Sequence, residues 1–553
     1  MATITGEKVP LGKLFADEFF FTIPDYQRPY SWKKENCDQL FDDLDNADKE
    51  KEYFFGTIIL QEVEKIGNGR KYDIIDGQQR ITTIQILFSV IRDLVDNAEY
   101  KKNTQELIYQ APNRMKNIPE RVRLETKEKA LFKNYIQTEN KTKDIASMVI
   151  ENDSHLNIKV AVETFHEKLS TYSQTKLEKF AGFLSQNCIV VYVSTESFDD
   201  AYRLFVVTND RGLQLRRIDI LKAQNLDPAT IKDVEERKEY SKKWEDMEGD
   251  LGSEEFEQLF FYIRTIETKE KASEDLLKEF TSLVFKTNKI NRGKDFIEYV
   301  EEYKKIYLKL FIDQNIYKND KTNFVKFSNL INIMIDNIKS SEWIPSLLFY
   351  FKKFNENEFP QFLSMFENKF VGDWVNGLSL GKRNSNTYSI LREIEKSTTP
   401  SQLFKSDVFD FNAERFKSNI IASDFYTEPY SKYILAKLDY MIGENSTQRK
   451  IIASSIEHVL PQNPKANSDW NKTFTVEEKE KWTNHISNLV LLSKRKNSSA
   501  SNLDFKDKKD KYLCERITDL PSSMKVLKYD EWNPIILKER EFEILKLFNL
   551  SSI

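Results

Sequence analysis

Histidine is scarce in this chain, four in 553 residues, so the surroundings of each one carry information. His458 sits in Ile456-Glu457-His458-Val459-Leu460-Pro461-Gln462, Asn488 follows in SNLVLLSK, and Asn497 lies in Lys496-Asn497-Ser498-Ser499-Ala500-Ser501-Asn502. An imidazole of ordinary pKa, about 6.5, is largely a free base at neutral pH. A carboxylate such as Glu457 and an amide oxygen such as Asn497 are hard ligands that suit Mg²⁺ or Mn²⁺. Phosphodiester hydrolysis needs both kinds of group, a base to deprotonate water and a cation to neutralise charge on the phosphate and the leaving oxygen. A second polar constellation lies near the N-terminus, Asp76-Gly77-Gln78-Gln79-Arg80. There Gly77 lets the backbone approach a phosphate, Arg80 offers a guanidinium fork, and Asp76 can hold Mg²⁺ or position water. Gln78 and Gln79 can orient a nucleophile but are too weak to act as bases. Tyr26, Gln27, Arg28, Tyr30 and Trp32, in a segment poor in aliphatic residues, add donors, acceptors and stacking faces that serve a nucleotide or a modified DNA group alike.

These residues need elements to hold them. YFFGTIILQE (53–62) and YDIID (71–75) are rich in β-branched and aromatic residues and flank Gly67-Asn68-Gly69, which predicts a hairpin. Apolar residues at 81, 84, 87, 88, 91, 94 and 95 then predict a helix to about Val95, with DGQQR at its N-terminus, where free N–H groups favour a phosphate. CIVVYVS (188–194) reads as another strand. After it come a turn at Asn209-Asp210-Arg211-Gly212 and a helix from near Arg217 that carries Asp219 and Lys222. Residues 230 to 440 read as helix after helix without a repeat, and GLSLGKRNSNTYSILRE (377–393) places Lys382, Arg383 and Arg392 where they could line a DNA path. Beyond about 444, SSIEHVL and NLVLLS read as short strands. The run from Lys494 to Lys511 holds seven basic and three acidic residues, and its Lys494, Arg495, Lys496, Lys506 and Lys509 are candidates for the DNA backbone.

Composition bounds the rest. Forty per cent hydrophobic and 31% charged residues with a formal charge of −5 exclude disorder and indiscriminate polyanion binding, though not a local basic groove. Few glycines and prolines favour long helices. Cys37, Cys188 and Cys514 are too scattered for a disulfide framework, and no apolar run reaches the ~18–20 residues of a membrane span. The expectation is a cytoplasmic protein with no membrane partner and an α+β, mainly helical fold.

The order acid-His on a strand, Asn on a second strand and Asn on a following helix resembles the HNH nucleases, a ββα-metal fold with one catalytic metal. The resemblance implies that His458 is the general base, that Glu457 and Asn497 hold the metal, and that Asn488 braces the loop orienting His458. Successive strand residues point to opposite faces, so the strand must end or twist near Glu457 and His458, and Pro461 makes this plausible. Here Glu457 stands where many HNH enzymes carry Asp or His. His485 matches no motif position and is expected at the surface or in a bracing role.

DGQQR, the 23–32 segment, the Asn209–Gly212 turn, Asp219 and Lys222 resemble the ParB-like nucleotidase domain of GmrSD-type and Ssp-type restriction proteins, over roughly residues 10 to 225. No G-x-x-x-x-G-K-[ST] sequence occurs, so the triphosphate would not be held by a P-loop. Both resemblances together imply a fused GmrSD-type modification-dependent endonuclease. Its expected parts are a ParB-like NTPase or sensor domain (1–228), a helical linker domain (229–440) and an HNH nuclease domain (441–553). It would use Mg²⁺ or Mn²⁺, take a nucleoside triphosphate as substrate or effector and cut modified double-stranded DNA; a homo-oligomer is compatible with the sequence. Two other readings stay open, a modification-independent HNH toxin regulated by nucleotide and a sensor that keeps the folds without catalysis.

Overall fold

The computed structural model describes residues 4–548 apart from 25, 67–68, 113–114, 116–119, 198–199, 202–203, 205–216, 228–229, 318–319, 444–447, 449–453, 494–501 and 514–519. The fold is α+β and mainly helical, with 61% of the described residues in helices. Contacts divide the chain into two compact units, Met1–Trp244 and Glu245–Ile553.

In the first unit, strands β1 (Thr5–Pro10), β2 (Phe19–Thr22), β3 (Tyr53–Ile66) and β4 (Gly69–Asp76) precede a short ladder of β5 (Tyr109–Gln110) with β6 (Arg121–Val122), then β7 (Leu124–Glu125) and β8 (Cys188–Thr195). Six of them form a mixed sheet in the order β1-β8-β3-β4-β2-β7. The expected hairpin is the antiparallel pair β3/β4, running from Ile59 opposite Asp76 to Ile66 opposite Gly69, while β3 and β8 pair in parallel. The helix expected from Ile81 starts at Gln78 and ends at Leu94. It is buried beyond the single face that its spacing suggested, because Ile86 and Val90 also enter the core beside Ile84, Phe88 and Ile91. A helix buried on all sides, with Thr82, Gln85, Ser89 and Arg92 enclosed as well, lies inside its unit rather than on it.

In the second unit, amphipathic helices follow one another, among them Ser253–Thr268, Lys294–Tyr307, Lys321–Asn337, Phe359–Val375, Leu380–Lys396 and Ser431–Ile442. Several starts are capped by side chains: Asp320 accepts from the Asn323 amide and Ser379 from the Lys382 amide, satisfying donors that a helix N-terminus leaves unpaired. The expected C-terminal strands are β9 (Ser454–His458) and β10 (Leu489–Ser493), antiparallel with His458 opposite Leu489. The helix Phe505–Leu513 follows. Val459, Leu460, Trp470, Trp482, Val490, Leu492 and Trp532 close a small core around this ββ-α arrangement. Residues from the helical segment join it: the Tyr426 amide donates to Asn484 O at 3.0 Å, and the Ser522 amide donates to Asp439 Oδ1 at 2.7 Å. No helix among the described residues is long and apolar enough to cross a membrane.

Candidate active site

Strand β9 ends at His458, as the sequence required near Pro461. Its last two side chains go to different partners. The Glu457 carboxylate, 3% exposed, accepts from Lys508 Nζ at 2.7 Å. His458 packs edge-on against the Tyr426 ring, centroids 4.4 Å apart, and bonds through Nε2 to Asn484 Oδ1 at 3.0 Å. Gln462 Nε2 donates to that same oxygen at 3.0 Å, so Asn484 is an acceptor on both sides. The proton of neutral His458 therefore sits on Nε2, and Nδ1 holds the basic lone pair. Burial pushes the imidazole pKa down to about 4; the Asn484 hydrogen bond opposes the shift and the Lys508 charge adds to it. The ring is neutral at pH 7, the form a base needs.

Asn488 is fully buried and uses its whole amide. Its Oδ1 accepts from Leu460 N at 2.7 Å and Trp532 Nε1 at 3.0 Å, and its Nδ2 donates to Leu460 O and Thr483 O, both at 2.9 Å. Leu460 lies two residues beyond His458, so these bonds pin the chain that leaves the histidine. His485 is 1% exposed rather than at the surface. Its Nδ1 accepts from Ser487 N at 3.2 Å, and its Nε2 lies 3.2 Å from Glu541 Oε2, a bracing arrangement.

The basic run is not one solvated face. Lys506 is exposed, Lys509 donates to Tyr529 O at 2.7 Å, and Lys508 is fully buried, while Lys494, Arg495, Lys496 and Asn497 lie outside the described residues. In the 377–393 segment Lys382 is exposed, but Arg383 lies 3.5 Å from Glu342 and Arg392 donates to Lys269 O at 2.7 Å.

At DGQQR the helix begins on Gly77, whose φ of +92° favours glycine, and a Cβ there would press on Ile58. Pairing of β3 with β8 is irregular between Phe54 and Gly56, and Gly56 has φ +112°. Into this bend the Arg80 guanidinium donates to Phe55 O at 3.3 Å and Thr57 O at 2.6 Å, with Asp76 Oδ2 at 3.6 Å. Burial raises the Asp76 pKa; Arg80, the Gly77 amide and Arg28 oppose it. Gln79 accepts from Ser31 N at 2.8 Å and donates to Pro29 O at 3.2 Å, and Gln27 Nε2 donates to Ile75 O at 3.0 Å. Tyr30 bonds Thr83 at 2.8 Å, Tyr26 is buried, and Trp32 packs on the core. Gln27, Pro29 and Ser31 are thus stitched to Ile75 and Gln79 at DGQQR. Arg28, Gln78, Gln79, Thr126 and Lys127 line a narrow cleft between them, and the buried Thr126 hydroxyl has no hydrogen-bond partner there. Asp219 and the buried Lys222 lie on the helix Arg217–Asn225, whereas Asn209, Arg211 and Gly212 fall outside the described residues.

Residues 11–226 match the family GmrSD restriction endonuclease, N-terminal domain, and residues 410–547 match GmrSD restriction endonucleases, C-terminal domain. The chain belongs to the GmrSD-type, type IV restriction endonucleases. GmrSD membership makes it a phage-defence DNA endonuclease. No curated protein matches it. The C-terminal GmrSD match starts at 410, ahead of the expected boundary at 441, and so takes in Tyr426 and Asp439. Tyr426, Asn484 and Lys508 are partners of the GmrSD histidine segment that motif reading missed. Tyr426 and Asn484 each lie more than 25 residues from His458 and belong to no motif, and Lys508 was hidden among neighbouring lysines.

Proposed function

We propose that this endonuclease cuts or nicks modified DNA with His458 as general base and binds and hydrolyses a nucleoside triphosphate in its DGQQR domain. The observation that carries the nuclease half is the hydrogen-bonded imidazole. Asn484 fixes the Nε2–H tautomer and Asn488 fixes the following turn, so Nδ1 is the atom that takes the proton from water attacking the phosphorus. With its tautomer set by Asn484 and the following turn held by Asn488, the ring needs little reorganisation at the moment of reaction.

Mg²⁺ or Mn²⁺ would supply charge neutralisation at the phosphate. Of the expected ligands, Asn497 is outside the described residues and Glu457 is taken by Lys508, so the described donor set does not fit a divalent cation. The nucleotide half is supported by the cleft at DGQQR. Arg28 and Lys127, with Glu128 beside them, and the Thr126 hydroxyl are the groups an anionic ligand would meet there, and the narrow cleft would have to widen to admit a triphosphate, while Arg80 shapes the bend. Tyr26 and Trp32 contribute by packing.

The test is plasmid cleavage with Mg²⁺ or Mn²⁺, comparing unmodified, hydroxymethylated, glucosylated and phosphorothioate DNA, with and without triphosphate. The expected result is cutting confined to modified DNA, absent in His458→Ala, which still hydrolyses triphosphate; Asp76→Ala loses that hydrolysis. Equal cutting of all DNAs would move the reading to a toxin nuclease, and intact DNA throughout to a sensor.

A further inference from the structure

Lys508 is fully buried on the helix after β10, inside a sequence run that otherwise suggests contact with DNA phosphates. Its ammonium has two recorded partners, Glu457 Oε1 at 2.7 Å and the His458 main-chain carbonyl at 2.5 Å. Both belong to the last two residues of β9, where strand pairing stops. A buried ammonium is strongly disfavoured unless it is paired and hydrogen-bonded, and here the carboxylate meets its charge while the carbonyl accepts a second N–H hydrogen bond. The carbonyl is the informative partner. Past the end of the ladder, the peptide plane following His458 would otherwise be free to rotate, and the Val459 amide on that plane donates to Asn488 O at 3.1 Å. Lys508 and Asn488 therefore grip the two ends of one peptide plane, its C=O and its N–H.

We propose that Lys508 is a positioning residue of the nuclease site. It fixes the peptide that carries His458, with Glu457 serving as its counterion. This rests on His458 being the general base. Lys508 touches neither substrate nor reacting atoms in this arrangement; it acts through the main chain of His458, and a shift of about 1 Å at a catalytic group is enough to cost ~10²-fold in rate.

The experiment measures single-turnover cleavage, the KM for DNA and the melting profile of the full chain for Lys508→Met, Lys508→Arg and the neutral pair Glu457→Gln/Lys508→Met, beside His458→Ala. Lys508→Met is expected to lower kcat ~10²-fold with KM for DNA unchanged. The neutral pair, which removes the unpaired buried charge, is expected to recover the melting temperature but not kcat, and this keeps the proposal testable if Lys508→Met fails to fold. Lys508→Arg is expected to recover part of kcat, because a guanidinium can still donate to both oxygens. The proposal is overturned if the folded neutral pair cuts at the wild-type rate. It is also overturned if the loss lies in KM, which would make Lys508 a DNA contact, or if Glu457→Gln alone raises the Mg²⁺ concentration needed for half-maximal cutting, which would make Glu457 a metal ligand. Full activity of His458→Ala would instead remove the reading on which the proposal stands.

Discussion

Replacing Asn488 by alanine tests whether this side chain braces the site. The amide makes four hydrogen bonds, to Leu460 N, Leu460 O, Thr483 O and Trp532 Nε1, all without help from solvent because Asn488 is fully buried. At ~1 kcal/mol net for each, Asn488→Ala should cost ~4 kcal/mol, with the stranded main-chain groups setting the upper end. Unfolding entropy is ~2 cal/mol/K per residue, so for a unit of roughly 300 residues the loss corresponds to a fall of about 6 °C in its transition. Calorimetry of the full chain reads this directly, and the transition of the first unit, which contains no part of the bracing, serves as the internal control. Asn488→Asp keeps an oxygen for Leu460 N and Trp532 but, when its acid is neutral, can donate to only one of the two carbonyls, so under those conditions it should fall between wild type and alanine. Cleavage should fall with stability in both variants, since Leu460 follows His458 so closely. A transition within ~1 °C of wild type for Asn488→Ala would refute the reasoning, because four bonds of this kind cannot vanish without a thermodynamic trace.

Two further outcomes are expected. Gly56→Ala should evict the Arg80 guanidinium from its seat, since a Cβ there would overlap Arg80 and the backbone holds φ +112°. Triphosphate hydrolysis should drop while DNA cleavage by the folded protein persists, and unchanged hydrolysis would detach the bend from the nucleotide site. His166, which bonds Thr142 Oγ1 at 2.8 Å, has its pKa lowered by burial and by Lys143, against a smaller opposing effect of Asp93. The folded state prefers the neutral ring, so this contribution to stability is complete above the unfolded pKa of about 6.5 and is lost as pH falls toward the lower folded value. Melting of the first unit should therefore decline on acidification below pH ~6.5, and His166→Gln should flatten that decline; an equal slope in the variant would assign the acid sensitivity elsewhere.

Much of the fold was legible because its signals are local. The 53–76 hairpin, the helix behind DGQQR, the 188–195 strand and the helix at Arg217 each announce themselves within a dozen residues through β-branched runs, a turn or helical spacing. His458 and Asn488 were singled out by resemblance. Their surroundings were not, because hydrogen-bond partners far along the chain leave no periodic mark. Asn484 sits in an unremarkable turn and Tyr426 in a helical segment without motifs. The partners of Arg80 were hidden for a related reason: its type suggests a phosphate, and the carbonyls that receive it are exposed by a bend at Gly56, which sequence spacing alone did not disclose. Glu457 shows the converse. Strand alternation already argued that it and His458 could not converge, and the partner that resolves the conflict is a lysine 51 residues away.

The amide of Tyr426 and the carboxylate of Asp439 are built into the wall of the nuclease core although both precede its first strand. A cassette cut at residue 441 for transplantation into another protein would therefore leave the Asn484 carbonyl and the Ser522 amide without their partners and bare one side of the His458 ring. A graft beginning near 410, where the C-terminal family match opens, carries its own wall with it.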